Sequence, residues 1–394
     1  MAKKYTSDLF VKNGGTESEF LMADGSVSSG GGGGGKFVDG TDPLNAVYTD
    51  GNVGIGTVTP SAPLEVSGRI SQIGLGNSTF LGEFAGLNDD GTNNNNVAIG
   101  YEALKNNVSG PTNVAIGQDA LKNNTTGQDN VAIGNGALVS NNGPTNVAVG
   151  RSCLLSNQTG GYNIALGLQA MSSGNKGWNN IALGQNALQT SNNSASNNVG
   201  IGVKAGQISN GTNNVFIGSS AGMQQQNGNS KVAIGENAGA NASGNNSVGI
   251  GKYGGYNNSG NSSVGIGENA GFGNSGAYQI AIGQYAGLNN AGAYNINIGR
   301  QAGIYGPGYA INTNGTNSLF IGRDTQPATT SDTNQTVIGY QAIGYGSNSV
   351  TLGNDSVVLT VLKGVIRMTG VPSSDAGLDV GDVWQDGGTL KIVT

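Results

Sequence analysis

One string returns through most of this chain. Asn-Val-Ala-Ile-Gly stands at Asn96–Gly100, Asn113–Gly117 and Asn130–Gly134, with variants such as Ser247-Val248-Gly249-Ile250-Gly251 and Gln279-Ile280-Ala281-Ile282-Gly283. The closing Gly falls at 82, 100, 117, 134, 150, 167, 184, 202, 218, 235, 251, 267, 283, 299, 322, 339 and 353. Most intervals are 16 to 18 residues; the exceptions are 23 before Gly322 and 14 before Gly353. Self-similarity at a fixed period means stacked repeats rather than one globular core. Most units also carry Ala three residues after the Gly, as at Ala103, Ala120, Ala137, Ala170 and Ala187. The next residue is Leu or Met in early units (Leu104, Leu121, Leu138, Met171, Leu188) and Gly in later ones (Gly206, Gly222, Gly239, Gly271, Gly287).

The unit has a physical reading. Val-Ala-Ile alternates, so Val and Ile share one face of a strand and Ala takes the other. The closing Gly ends the strand at a bend that a side chain would obstruct. The Asn, Gly, Ser and Thr between units are turn formers. A unit of 16–17 residues fits one coil of a parallel β-solenoid, each coil hydrogen-bonded to the next at ~4.8 Å. Seventeen coils predict a rod of roughly 80 Å. Ala and Gly leave room for only a thin interior. Val97, Ile99, Val114, Ile116, Val131, Ile133 and their equivalents then form an outward apolar stripe, which a soluble monomer does not tolerate at this length. Three copies meeting on one axis would cover it. The alternative is a monomer with the large residues turned inward.

Composition removes several function classes. The chain has no His and one Cys, Cys153. A zinc site of the His/Cys kind and a Ser-His-Asp or Cys-His nucleophile are therefore excluded. No metal and no cofactor is expected. One Cys allows no disulfide framework, although it could pair between chains. Acids number 23 and bases 17, a net charge of −6, so no basic field attracts nucleic acid. No apolar run follows Met1-Ala-Lys-Lys as a secretory signal would, and none is long enough to cross a membrane as a helix. The expectation is a protein assembled in the cytosol. Gly249-Ile250-Gly251-Lys252-Tyr253-Gly254 matches a dinucleotide fingerprint, but the repeat itself generates that string and no βαβ unit surrounds it. Glu236 and Glu268 occupy the same unit position two coils apart, roughly 10 Å, a loose pair for glycoside hydrolysis. Solvated edge residues are the simpler reading, and no enzyme is expected.

The repeat resembles the head repeat of trimeric autotransporter adhesins. That resemblance implies a left-handed parallel β-roll, three rolls packing as a homotrimer that binds host surfaces. It covers about Leu81 to Gly353; the coil here is longer than that family's, and its stalk and membrane barrel have no counterpart in the sequence. The flanks resemble bacteriophage tail fibres and similar virion appendages. Asp50-Gly51-Asn52-Val53-Gly54-Ile55-Gly56-Thr57-Val58-Thr59-Pro60 through Gly68, and Gly370-Val371-Pro372 through Val393, carry that likeness. Together they imply an intertwined homotrimeric fibre on a virion surface, joined to other virion proteins at its N-terminus. The rivals are a bacterial surface adhesin and a polysaccharide depolymerase.

The chain then divides into four parts. Residues 1–50 would be the virion-attachment segment, with Gly30 to Gly35 as a hinge. Residues 51–80 form a β adaptor and 81–353 the β-roll rod. Residues 354–394 would be a compact β tip, with Val357–Leu362 and Val365–Met368 as strands that cap the last coil. Aromatics are absent between Glu102 and Gly161, yet eight fall between 253 and 309: Tyr253, Tyr256, Phe272, Tyr278, Tyr285, Tyr294, Tyr305 and Tyr309. Tyr278 and Tyr294 each lie five residues before their Gly and should stack on adjacent coils. An aromatic face among Asn and Ser is a platform for a bacterial surface glycan, or else a ladder that stiffens the rod. Trp178 and Trp384 are single cases, the second reading as tip core.

Overall fold

The computed structural model describes residues 77–394 apart from 175–176, 191–194, 225–227 and 305–314, together with six short strands before residue 77. The chain forms two compact units, Met1–Thr79 with Gly91–Asn95, and Phe80–Asp90 with Asn96–Thr394. In the first, Glu19–Leu21 pairs antiparallel with Val27–Ser29. Lys36–Phe37, Ala46–Thr49, Asn52–Ile55 and Leu64–Val66 make a second sheet, the last pair parallel. The Gly30–Gly35 hinge lies outside the described residues, as do Tyr305 and Tyr309.

The second unit is a parallel β-solenoid of about 15 turns with about 17 residues per coil. Its strands are three residues each, from Val97–Ile99 to Val350–Leu352, and each pairs with the next in the order of the chain. The register never slips: Val97, Ala98 and Ile99 face Val114, Ala115 and Ile116, and Thr336, Val337 and Ile338 face Val350, Thr351 and Leu352. Among the described residues there is no helix.

The alternation expected from the repeat is what forms. The central strand residue is fully buried in coil after coil, as at Ala98, Ala115, Ala132, Ala148, Ala165 and Ala182, and so is the Ala three residues past the Gly. Val and Ile on either side of the central residue point away from the interior, half-buried or exposed. The closing glycines stack directly on one another. At Gly134, with φ +129°, a Cβ would sit 2.7 Å from the carbonyl carbon of Gly150, so two backbones pass where no side chain fits.

Two features of the interior go beyond that expectation. The residue after the buried Ala is left-handed, and in early coils it is Leu104, Leu121, Leu138, Leu154, Met171 or Leu188, at φ 46–52°. A left-handed non-Gly residue costs about 1–2 kcal/mol. Here it aims a large side chain into the interior, and all six are 3% exposed or less. Burial of such a side chain contributes ~1.5–3 kcal/mol, enough to offset that cost. The Asn before each strand from Val97 to Val215 is also buried, not a turn residue at the surface. Asn96, Asn113, Asn130, Asn146, Asn163, Asn180, Asn198 and Asn214 form a ladder in which each Oδ1 accepts the backbone N–H of the next position, at 2.8–3.0 Å. Each Nδ2 donates to a turn carbonyl of the following coil, as Asn113 does to Gly127 O at 2.9 Å. The carboxamide thus satisfies backbone groups at the corner that the short strands leave over.

Residues 354–394 differ from the compact tip expected. The only strands in this stretch are Val383–Asp386 and Thr389–Ile392, an antiparallel hairpin. Val357–Leu362 and Val365–Met368 form no strand, and from Val358 to Gly370 no backbone hydrogen bond is made to another backbone group among the described residues. A strand requires a partner strand, and none of the described residues supplies one. Val358 is 97% exposed and Val365 100%. Trp384 packs under the Lys391 ammonium, 5.4 Å from the ring centre, not in a core.

Candidate functional site

The surface of the solenoid carries three sets of residues that could meet another molecule. The first is the outward face of the strands. Val97, Ile99, Val114, Ile116 and Val131 are half-buried and Ile133 is 37% exposed. The two rows continue through Ile164, Leu166, Ile201, Ile217, Ile282 and Ile298, all exposed. Because the register is fixed, they form an uninterrupted pair of apolar ridges.

The second set lies on the edge that follows the strand, two and five residues past the Gly. In early coils these positions hold charges. Glu102 accepts from Lys105 and Lys122, and Lys122 also pairs with Asp119 at 3.2 Å. Those two ammonium groups hold the Glu102 carboxyl down to about 2. In later coils the same positions hold Tyr253, Tyr256 and Phe272. Tyr256 stacks on Phe272 with centroids 5.0 Å apart, and Tyr253 meets Tyr256 edge-on at 5.5 Å. Tyr285 shares this edge.

The third set lies on the edge that precedes the strand. Tyr278 and Tyr294 stack as expected, 5.1 Å apart with 7° between planes, and are 53% and 57% exposed. The six aromatics that can be placed therefore divide between two edges and are not one patch. Sequence reasoning missed a further pair on the Tyr278 edge. Tyr162 stands at the same offset, five residues before its Gly, and Trp178 lies against it at 5.6 Å. The signal was available, since Tyr162 and Trp178 are one coil apart.

Other candidates are placed plainly. Cys153 occupies the buried Ala position of its coil, so it does not reach a second chain to form a disulfide, and burial raises its pKa. Glu236 pairs with Lys252 at 3.3 Å, and Glu268 accepts from Gln284 at 2.8 Å, both on an exposed edge. Gly249 lies in a strand with its α-carbon toward the coil interior, where a Cβ would meet Gly254 O at 2.4 Å, which leaves no room for a phosphate. Among the described residues no group of three or more His, Cys, Asp or Glu could hold a metal ion, and no helix is long and apolar enough to cross a membrane.

One interior residue was not expected. Lys231 takes the ladder position after Asn214 and is 2% exposed. Its Nζ donates to Ala242 O at 2.6 Å, and burial pushes its pKa down to about 8.

No protein-family model and no curated protein matches this chain.

Proposed function

We propose that the protein is a structural, non-enzymatic fibre of a virion, a phage tail or head fibre, built as a homotrimer and serving attachment to a host-surface glycan. The observation that carries this reading is the pair of apolar ridges on the outward strand face. A soluble chain that repeats exposed Val and Ile through this many coils needs a partner with the same periodicity, and a second and third copy supply one. The stretch 358–370 supports the same reading. Its side chains are exposed and its backbone groups bond to no other backbone group among the described residues, so intertwining copies would satisfy both. Residues 354–394 then form the sealed tip only in the assembly. The N-terminal segment joins other virion proteins, and the assembled particle carries the fibre on its surface without membrane insertion or nucleic-acid binding. Both aromatic edges flank the strand face, and their rings would meet a receptor.

Sedimentation equilibrium tests the assembly. A mass of three times the 39.4 kDa chain is expected. A single-chain mass in a soluble preparation overturns the reading.

A further inference from the structure

The aromatic pairs differ in what they offer a ligand. Tyr278 and Tyr294 lie 7° from parallel, and Tyr256 and Phe272 13°, so in each pair the facing ring surfaces cover one another. Such a stack presents edges and hydroxyls. Tyr162 and Trp178 are inclined at 41°, a V in which neither ring lies flat over the other. Trp178 lies close against the backbone of the preceding coil, where a Cβ on Gly161 would be 2.7 Å from indole Cζ3. The indole is thereby seated, yet remains 43% exposed, and Tyr162 54%.

Polar groups continue from this V along the same edge. Asn179, Asn197 and Asn213 hold the offset of Tyr162 on the next three coils, and all are exposed. Asn179 donates to Asn197 at 3.3 Å and Asn197 to Asn213 at 3.1 Å. Each carboxamide has two N–H donors and two acceptor sites, so this chain of bonds leaves capacity at every rung. The four side chains follow the strand spacing of ~4.8 Å, close to the length of one pyranose unit. A seated ring face beside a row of amides matches the apolar C–H face and the equatorial hydroxyls of a sugar. The acidic chain, at −6, favours a neutral polymer over an acidic one.

We propose that Tyr162 and Trp178, continued by Asn179, Asn197 and Asn213, are the glycan-binding site, and that it takes a neutral oligosaccharide lying along the coil axis. This rests on the surface-attachment reading above, but places the contact away from Tyr278 and Tyr294. The test uses the full chain on an array of neutral hexose and N-acetylhexosamine oligosaccharides, followed by calorimetry on the strongest binder. Trp178→Ala should abolish binding, and Tyr162→Ala should weaken it by about tenfold or more. Trp178→Phe, which keeps a planar ring, should retain part of it, while Tyr278→Ala with Tyr294→Ala should leave it unchanged. In a Trp384→Phe background Trp178 is the one remaining indole, and its fluorescence should shift saturably with ligand. A silent array, or loss of binding in the Tyr278/Tyr294 variant with Trp178→Ala unaffected, overturns the site. A three-chain mass in the same preparation leaves the fibre reading standing in either case.

Discussion

The coils between 97 and 190 and those between 248 and 303 trace the same backbone with different chemistry. The early coils fill their interior with Leu and Met on left-handed backbone and hold the corner with a continuous Asn ladder. The later coils place Gly255, Gly271, Gly287 and Gly303 at the left-handed position, where the conformation carries no steric penalty. Their strand centres vary, from Gly249 and Gly265 through Ala281 to Asn297, and the ladder position holds Ser247, Ser263, Gln279 and Asn295. The outer edge changes in step: Glu102, Lys105, Asp119 and Lys122 give way to Tyr253, Tyr256 and Phe272. One half is held from inside by aliphatic burial, while the other relaxes its backbone and gains ring stacking outside. The coil is thus defined by its backbone contacts, above all the stacked glycines, and tolerates either filling.

The largest effect should come from those glycines. Gly134→Ala drives a Cβ to 2.7 Å from the Gly150 carbonyl, backbone against backbone, and should destabilise the solenoid by about 4 kcal/mol or more in denaturant titration. Gly364→Ala, at φ +101° but with open space around it, should cost only about 1–2 kcal/mol. Equal effects would show that stacking is not what sets the coil.

The changeover between the halves is the next place to press. Phe216 fills the strand centre where the left-handed Leu first becomes Gly. Its ring lies within 2.5 Å of where a Cβ on Gly206 would be, and within 2.1 Å for Gly222. The one large ring replaces side chains missing from two coils. Phe216→Ala should lose about 3–5 kcal/mol, and a loss under 1 kcal/mol would mean the later coils do not need a filled interior.

Lys231 sharpens the comparison at the ladder. Its pKa falls from the usual 10.5 to about 8 on folding. The unfolded chain therefore binds more protons between those values, and stability should rise as pH climbs from 8 to 10.5. Below pH 8 the penalty is fully present, roughly 3 kcal/mol from the size of the shift. Lys231→Asn, which extends the ladder of Asn214, should stabilise the protein near pH 7 and flatten that rise. An unchanged slope in pH-dependent unfolding would mean that the ammonium is not desolvated.

How far the sequence discloses this molecule follows from what each residue does. Val-Ala-Ile marks strand, register and facing together, because alternation has one physical meaning. The buried Asn ladder was hidden, since Asn beside Gly and Ser looks like turn chemistry. Its clue was position: Asn96 through Asn214 stand directly before the strand in successive units, and the turn Asn residues Asn107, Asn124, Asn141 and Asn157 keep an equally constant place seven residues past the Gly. The left-handed Leu residues were hidden because apolar residues seldom adopt that conformation. Val357–Leu362 looks like a strand by composition, yet pairing depends on a neighbour, and none of the described residues takes that place. The eight-aromatic cluster is visible in the sequence, but its division between two edges depends on offsets within the coil, and Tyr162 and Trp178 stand well before it in the chain.

On the proposed reading, other copies of this chain cover the outward aliphatic ridges. Ile116→Lys with Ile133→Lys places charge on that face without touching the buried Ala98, Ala115 and Ala132. Sedimentation equilibrium should give a three-chain mass for the native protein and a one-chain mass for the variant, with the β circular dichroism retained. A variant that keeps the native mass would contradict the claim.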